Sequence, residues 1–313
     1  MSISGLAWAW FAFFLLVWGL GEQPGERTVP TLLLAYAPPV LMLLPALLLG
    51  LALWHARVSR WALLPALLTL GLWPLYAGLV WNTPQAADGI SLLTYNLAGA
   101  THGSPERLAA EIRAADADIV TLQETKGVDT DLTSGLLALL PEYGHAQAEE
   151  SRELLTLSRF PVTGTRAVIL PETTRIFLVT TLATPQGELA VINVHFSTVL
   201  VSGVLEGKVR PTQSRREAQL DILRRETVGL DRVIVAGDFN TPPRGLMYRD
   251  LRQMFSGAWA EAGRGLGWTF PGASPVLRID HIFSRGLTPT EAKVLDAGGS
   301  DHRALRAVLS WKD

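Results

Sequence analysis

Val233-Ile234-Val235-Ala236-Gly237-Asp238-Phe239-Asn240 is an apolar run of strand length that ends in two polar side chains, Asp238 and Asn240. β-Branched residues fit a pleated, buried surface, so Val233–Ala236 reads as a strand and Gly237–Asn240 as the turn that closes it. The same pattern recurs along the chain. Asn96 follows Leu92–Tyr95, Glu124 follows Ile119–Leu122, and His195 closes Val191–Val194. Asp280 lies in Arg278-Ile279-Asp280-His281-Ile282-Phe283, and Asp301-His302 precedes an apolar run at Ala304–Leu309. Further strands are expected at Ile90–Tyr95, Asp118–Leu122, Leu154–Ser158, Phe177–Leu182 and Leu189–His195, with amphipathic helices at Pro105–Ala115 and Gln213–Glu226. Strands interleaved with helices predict an α/β or α+β sandwich over residues 90–313. Polar groups at the ends of neighbouring strands can converge on one face however distant they are in sequence.

The chain before this region is of another kind. Its first 82 residues carry five charged side chains, Glu22, Glu26, Arg27, Arg57 and Arg60, too few for a water-facing surface. Uncharged runs cover residues 1–21, Val29–Leu53 and Trp61–Trp81, each long enough for a hydrocarbon core of about 30 Å at about 1.5 Å rise per residue. Three transmembrane helices are therefore expected, at about 4–21, 30–53 and 61–81, in a membrane domain of residues 1–82, with a linker over 83–89. Trp18, Trp54, Trp61, Trp73 and Trp81 lie at or near the ends, as interfacial anchors do. Pro30, Pro38, Pro39 and Pro45 make the second run the least regular and predict a kink or a late start. A cleaved signal peptide is disfavoured, because the first run lacks a positive leader and two more runs follow. Arg57 and Arg60 in the loop His55–Arg60 place that loop in the cytoplasm, which predicts a multi-pass protein of the cell membrane with everything after Trp81 extracytoplasmic.

Setting aside three basic and two acidic residues of the first 82 leaves 24 Lys and Arg against 27 Asp and Glu, a formal charge of −3 on the remainder. A nucleic-acid binder ordinarily shows a basic footprint, so this balance tells against a dedicated nuclease. Without cysteine, disulfides, zinc-thiolate sites and thiol nucleophiles are excluded.

Carboxylates and carboxamides at strand ends suit Mg²⁺, which takes oxygen ligands and keeps waters for a substrate and a nucleophile. Histidines beside them suit proton transfer to and from phosphate oxygens. Together they are the parts of a metal-assisted phosphoester hydrolase. Any one of these residues alone is ordinarily a turn or cap residue; the ordered set carries the information.

Thr94-Tyr95-Asn96, Leu122-Gln123-Glu124, Asn193-Val194-His195, Gly237-Asp238-Phe239-Asn240, Arg278-Ile279-Asp280 and Ser300-Asp301-His302 resemble, in order, the motifs of the endonuclease/exonuclease/phosphatase superfamily. The resemblance implies a four-layer α/β sandwich over about residues 90–311. It also implies roles. Glu124 would be the principal Mg²⁺ ligand, with Mn²⁺ as an alternative ion, Asn96 beside it, and Asp301 on the metal or its water. Asp238 would orient or deprotonate the attacking water, and Asn240 would hold a phosphate oxygen. His302, its tautomer fixed by Asp280, would stabilise the transition state or move a proton. His195 would be a second acid near the leaving group, as in the deoxyribonuclease and sphingomyelinase branches; the abasic-site enzymes have Tyr there and an acid where this chain has Ala98. Glu153 is read as a strand-edge carboxylate facing water, with orientation of His195 as the alternative, and His281 as a packing residue.

Motifs do not name the substrate. Ser197–Arg210 mixes Val199, Leu200, Val201, Val204 and Leu205 with Lys208 and Arg210, as would a loop that enters a membrane interface; a plain covering loop is the alternative. Three spans followed by such a domain also resemble a membrane phosphatase of glycopeptide-resistance clusters that acts on undecaprenyl pyrophosphate. The expectation is a phosphoesterase acting on a membrane lipid or lipid-linked phosphate, with no protein partner inferred. An extracytoplasmic nuclease and a catalytically inactive membrane scaffold are the alternatives.

Overall fold

The computed structural model describes residues 2–57, 60–85, 88–126, 132–198, 209–296 and 298–312. Val199, Leu200, Val201, Val204, Leu205 and Lys208 of the expected interfacial loop lie outside them. The helices are α1 (Ile3–Glu22), α2 (Val29–Tyr36), α3 (Val40–His55), α4 (Leu64–Tyr76), α5 (Pro105–Ala115), α6 (Leu132–Leu139), α7 (Val209–Glu226), α8 (Gly245–Met254) and α9 (Ala258–Ala262). The strands are β1 (Val80–Trp81), β2 (Ile90–Asn96), β3 (Ile119–Gln123), β4 (Gly144–Ala146), β5 (Leu155–Ser158), β6 (Val162–Ile169), β7 (Ile176–Thr184), β8 (Gly187–His195), β9 (Val233–Asp238), β10 (Ser256–Gly257), β11 (Arg264–Gly265), β12 (Asp280–Arg285), β13 (Leu287–Val294) and β14 (Leu305–Trp311). Contacts divide the chain into two units, Met1–Leu79 with Pro242–Arg249, and Val80–Thr241 with Asp250–Asp313.

In the apolar unit, α1 is a single 20-residue helix, long and apolar enough to cross a membrane. The second uncharged run is not one straight helix: α2 and α3 are bent by 72°. Proline explains the break. Pro38 drives Ala37 into the extended region (φ −63°, ψ 130°), and Pro39 has no N–H for the carbonyl four residues before it. The third run is shorter than expected, an apolar helix over Trp61–Tyr76. Phe14, Val17, Met42 and Tyr76 form the buried centre, while Leu44, Leu48, Leu51 and Leu67 stay exposed.

The other unit is an α/β sandwich of two six-stranded sheets, ordered β13-β14-β2-β3-β5-β4 and β10-β12-β9-β8-β7-β6. Leu92, Ile119, Leu305 and Ala307 of the first sheet meet Leu189, Val191, Ile234 and Ile282 of the second in one buried cluster. The alternate residues Leu93, Tyr95, Val120 and Leu122 face outward under Leu108, Ile112, Leu132 and Leu136 of α5 and α6. Burial on both faces is why these strands read as unbroken apolar runs. Helix α7 lies against the second sheet, with the buried Gln219 accepting from Ser197 N at 3.1 Å and Arg216 donating to Phe239 O at 3.3 Å. Val80 and Trp81, expected to end the third span, form β1 and pair with β11, Asn82 N donates to Gly263 O at 3.1 Å, and within the expected linker Gln85 N donates to Thr290 O at 3.0 Å.

Candidate functional site

Sheet register assembles the site. In the second sheet His195 of β8 lies opposite Asp238 of β9, and Asp280 of β12 lies opposite Asp238 on its other side, so three strands bring three chemical groups into one row. In the first sheet Asn96 of β2 is paired with Gln123 of β3, which sets Glu124 at the exit of β3. Gly237 permits the close approach of β8 and β9: its φ is +152°, and a Cβ there would lie 1.9 Å from Val194 O. Glu124 (φ +52°) and Asn240 (φ +47°) hold the left-handed conformation that non-glycine residues seldom adopt and that functional turns often retain.

Asp238 is the hub. Its Oδ2 accepts from Asn96 Nδ2 at 3.1 Å and Asn240 Nδ2 at 3.2 Å, and its Oδ1 accepts from Asn240 N at 2.7 Å. Two imidazoles turn Nε2 toward the same oxygen, His195 at 3.6 Å and His302 at 3.9 Å. Behind each ring stands a carboxylate on Nδ1: Asp280 Oδ2 at 2.9 Å for His302, and Glu153 for His195. Glu124 Oε1 completes the cluster, accepting from Asn96 Nδ2 at 3.0 Å and lying 3.6 Å from His195 Nε2. Ser300 Oγ donates to Asn96 O at 2.6 Å and accepts from His302 N at 3.1 Å, tying the last motif to the first.

A neutral imidazole whose Nδ1–H is donated backward presents a lone pair forward, which a carboxylate repels; protonation of the ring removes the conflict. For His302, burial opposes the charge, but the carboxylate and hydrogen bond of Asp280, with Asp238 and Asp301 behind them, outweigh it and push the imidazole up to about 10. Burial would likewise raise the Glu153 carboxyl, yet the hydrogen bond and charge of His195 and the charge of Arg175 hold it below the usual range.

Every residue expected in the site except Asp301 is joined to the cluster by a direct contact. Asp301 is half-buried beside it, and its charge is felt at His302. The Asn240 amide, expected to hold a phosphate oxygen, donates to Phe196 O at 3.0 Å and to Asp238 Oδ2 at 3.2 Å. Glu153 does not face water at a strand edge. It bonds His195 and lies 3.5 Å from Arg175 Nη1, which itself donates to His195 O at 3.3 Å and Phe196 O at 3.2 Å. The alternative reading of Glu153, orientation of His195, is the one the structure shows; nothing in the local sequence marks Arg175. A buried layer below the site was also hidden: Gln123 Nε2 donates to Asn193 Oδ1 at 2.8 Å, and Asn193 Nδ2 donates to Leu122 O and Leu155 O at 3.0 and 3.1 Å, cross-linking the sheets. His281 is buried, its Nε2 donating to Thr241 O at 2.7 Å, with Phe239 and Phe283 against the ring.

The donor set fits a hard divalent cation. Asp238, Asp280 and His302 offer ligand atoms within 4.8 Å of one another; with His302 protonated, the carboxylates of Asp238 and Asp280 are the hard donors of that group, and Glu124 and Asn96 add further oxygens beside them. Asp280 Oδ1 is buried without a hydrogen-bond partner among the described residues, an oxygen that a cation or its water would satisfy. Glu124 and His195 open onto a cleft of about 700 Å³ whose walls include Lys126, Arg152, Thr174 and Arg175.

Solved structures share the fold. An endonuclease/exonuclease/phosphatase from Beutenbergia cavernae is 20% identical over 72% of both chains, with a TM-score of 0.57. A family protein from Bacteroides thetaiotaomicron is 16% identical over 74% of this chain and 99% of its own, with a TM-score of 0.59. Sphingomyelinase C from Streptomyces griseocarneus is 19% identical over 72% of this chain and 100% of its own, with a TM-score of 0.55. No curated protein sequence matches the chain. Residues 93–302, from the middle of β2 to His302, match the family described as Endonuclease/Exonuclease/phosphatase, and two thirds of the sequence therefore places this chain in that family.

Proposed function

We propose that the chain is a membrane-anchored, Mg²⁺-dependent phosphoesterase that hydrolyses a phosphate ester or pyrophosphate of a lipid on the extracytoplasmic side. The observation that carries the chemistry is the pair of carboxylate-backed imidazoles turned toward one oxygen of Asp238. Asp238 orients the attacking water and takes its proton as the new P–O bond forms. His302, protonated and held by Asp280, faces the charge that develops on the phosphoryl oxygens. His195, held by Glu153, gives its proton to the leaving oxygen as the old P–O bond breaks, and hydrolysis balances with one water consumed. Glu124, Asn96 and Asp301 would hold Mg²⁺, which supplies Lewis acidity at the phosphate and a more acidic bound water.

Support for a lipid substrate comes from outside the reacting centre. α1 is apolar enough to span a bilayer, the bent pair α2 and α3 passes the same test when taken as one span, and α4 is a third apolar helix. We place residues 1–79 in the membrane, 80–89 as the connection and 90–313 as the catalytic domain, with Arg57 and Arg60 on the cytoplasmic side. The absence of net positive charge on the remainder favours lipid over nucleic acid.

The experiment is a panel in detergent with Mg²⁺ comparing polyprenyl pyrophosphate, phosphatidic acid, sphingomyelin and plasmid DNA, with C-terminal reporters for topology. Turnover of a lipid substrate, an active phosphatase-type reporter and a dark fluorescent reporter are expected. Turnover of DNA alone, falling steeply with salt, would establish the nuclease alternative, and no turnover of any substrate would leave the scaffold.

A further inference from the structure

Arg244 is a buried cation that the site chemistry leaves unused. It lies four residues beyond Asn240, in Pro242–Arg249, a stretch that belongs to the apolar unit although the chain on both sides of it belongs to the other. Its guanidinium donates to Ala35 O and Ala37 O, both at 2.9 Å, and lies 4.5 Å from the centre of the Tyr76 ring. These two carbonyls are the ones that the break between α2 and α3 leaves over. The residue four beyond Ala35 is Pro39, which has no N–H, and the amides of Leu41 and Met42 turn to Pro38 O and Pro39 O instead. In an apolar environment such groups must find a donor, and a planar fork can serve both at once where an ammonium would serve one.

A second attachment lies beside it. Glu26 Oε2 accepts from Leu246 N at 2.8 Å, and Gly245 (φ +84°) passes so near that a Cβ would come within 2.6 Å of the Glu26 carboxylate. Toward Asp238 the connection is stiff. Thr241 is held by its hydroxyl on Phe239 O at 2.9 Å and by His281 on its carbonyl, and only Pro242 and Pro243, each with a locked φ, separate it from Arg244.

We propose that Arg244 is a positioning residue, one that caps the proline break of the second apolar run and so fixes the exit of the Gly237–Asn240 turn on which Asp238 depends. This rests on the hydrolase reading above. It makes hydrolysis sensitive to a backbone break some two hundred residues earlier in the sequence.

The test uses the full chain in detergent with a soluble phosphoester, comparing wild type, Arg244→Ala, Arg244→Lys, the pair Pro38→Ala with Pro39→Ala, and Arg244→Ala combined with that pair. Alanine at 38 and 39 allows α2 and α3 to join, giving Ala35 O an amide and releasing Arg244. Each change is expected to lower kcat about 10- to 100-fold, the usual scale for a supporting residue, with KM within about threefold and no rescue by Lys. The combination should be no worse than the more severe of its parts, because both remove one attachment. Hydrogen exchange gives a readout independent of activity: amides of 244–249 should lose protection in each variant while those of β2 and β3 keep theirs. Should Arg244→Ala fail to fold, Arg244→Lys and the proline pair make the same comparison. Unchanged kcat, multiplicative losses, or unchanged protection of 244–249 would each overturn the proposal. A wild type that hydrolyses nothing defeats the hydrolase reading and with it the positioning role, whereas the exchange result then still reports separately on the attachment.

Discussion

Replacing Asp280 by Asn keeps the shape of the side chain and removes the charge behind His302. In the native site burial pulls the imidazole below its ordinary value, and Asp280, 2.9 Å from Nδ1, is the largest influence in the other direction. Without that carboxylate the ring is expected to fall from about 10 toward the ordinary value of about 6.5, burial opposing what the charges of Asp238 and Asp301 still supply. At about pH 7.5 the protonated fraction then drops from nearly all to about a tenth, a loss of roughly tenfold from population alone. Asn also offers its amide to Nδ1 and thereby favours the proton on Nε2 of a neutral ring, the wrong tautomer for the native arrangement. The two effects together are expected to lower kcat at least about 10²-fold, the range of general acid–base groups. The assay is kcat for a soluble phosphomonoester across about pH 5.5–9.5 at saturating Mg²⁺. Wild type should keep its activity on the alkaline side through this range as far as His302 governs it, whereas Asp280→Asn should lose its residual activity as pH rises through about 6.5. A variant within about threefold of wild type at neutral pH, with an unmoved alkaline limb, would refute the role of the pair.

Glu124→Gln, which removes one formal charge from the oxygen cluster, is expected to abolish Mg²⁺ stimulation with the fold intact by circular dichroism; full activity of this variant in EDTA would exclude Glu124 as a ligand. Glu153→Gln should lower kcat about 10- to 100-fold through His195, more for a substrate with a poor leaving group than for a nitrophenolate, and equal losses on both would assign Glu153 to structure alone. His281 is held down at about 3 by burial and by the charge of Arg278, so its contribution to stability is complete above the ordinary value of about 6.5 and is lost as pH falls from there toward about 3. Tm should therefore decline over that window in wild type and decline less steeply in His281→Leu; parallel slopes would show that other groups set the acid limit.

The strands that carry the site were legible because each is buried on both faces and ends abruptly in a polar group, as in Val233–Asp238. β6 was not: Val162–Ile169 is an edge strand whose exposed side chains, Thr163, Thr165 and Arg166 among them, break the apolar run. β13 was hidden by Pro289, which sits beside a register shift between Pro289 and Glu291, where a strand tolerates proline. The prolines announced the break in the second apolar run, but the arginine that caps it, more than two hundred residues later, follows from tertiary structure alone. The pairing of Glu153 with His195 was offered by the sequence only as the alternative to a water-facing carboxylate, because choosing between them depends on β5 and β8 lying in different sheets of the sandwich. Asp280 and His302 were easier, since a carboxylate and a histidine in two consecutive motifs had a chemical reason to meet.

The most direct measurement is the hydrolysis of a soluble phosphoester by the purified full chain in detergent, with Mg²⁺ and with EDTA, for wild type and for Asp238→Ala. Metal-dependent turnover that EDTA abolishes and Asp238→Ala lowers at least about 10²-fold, with a smaller change in KM, is the expected result. Turnover that survives both EDTA and the loss of the carboxylate to which both imidazoles turn would contradict the account.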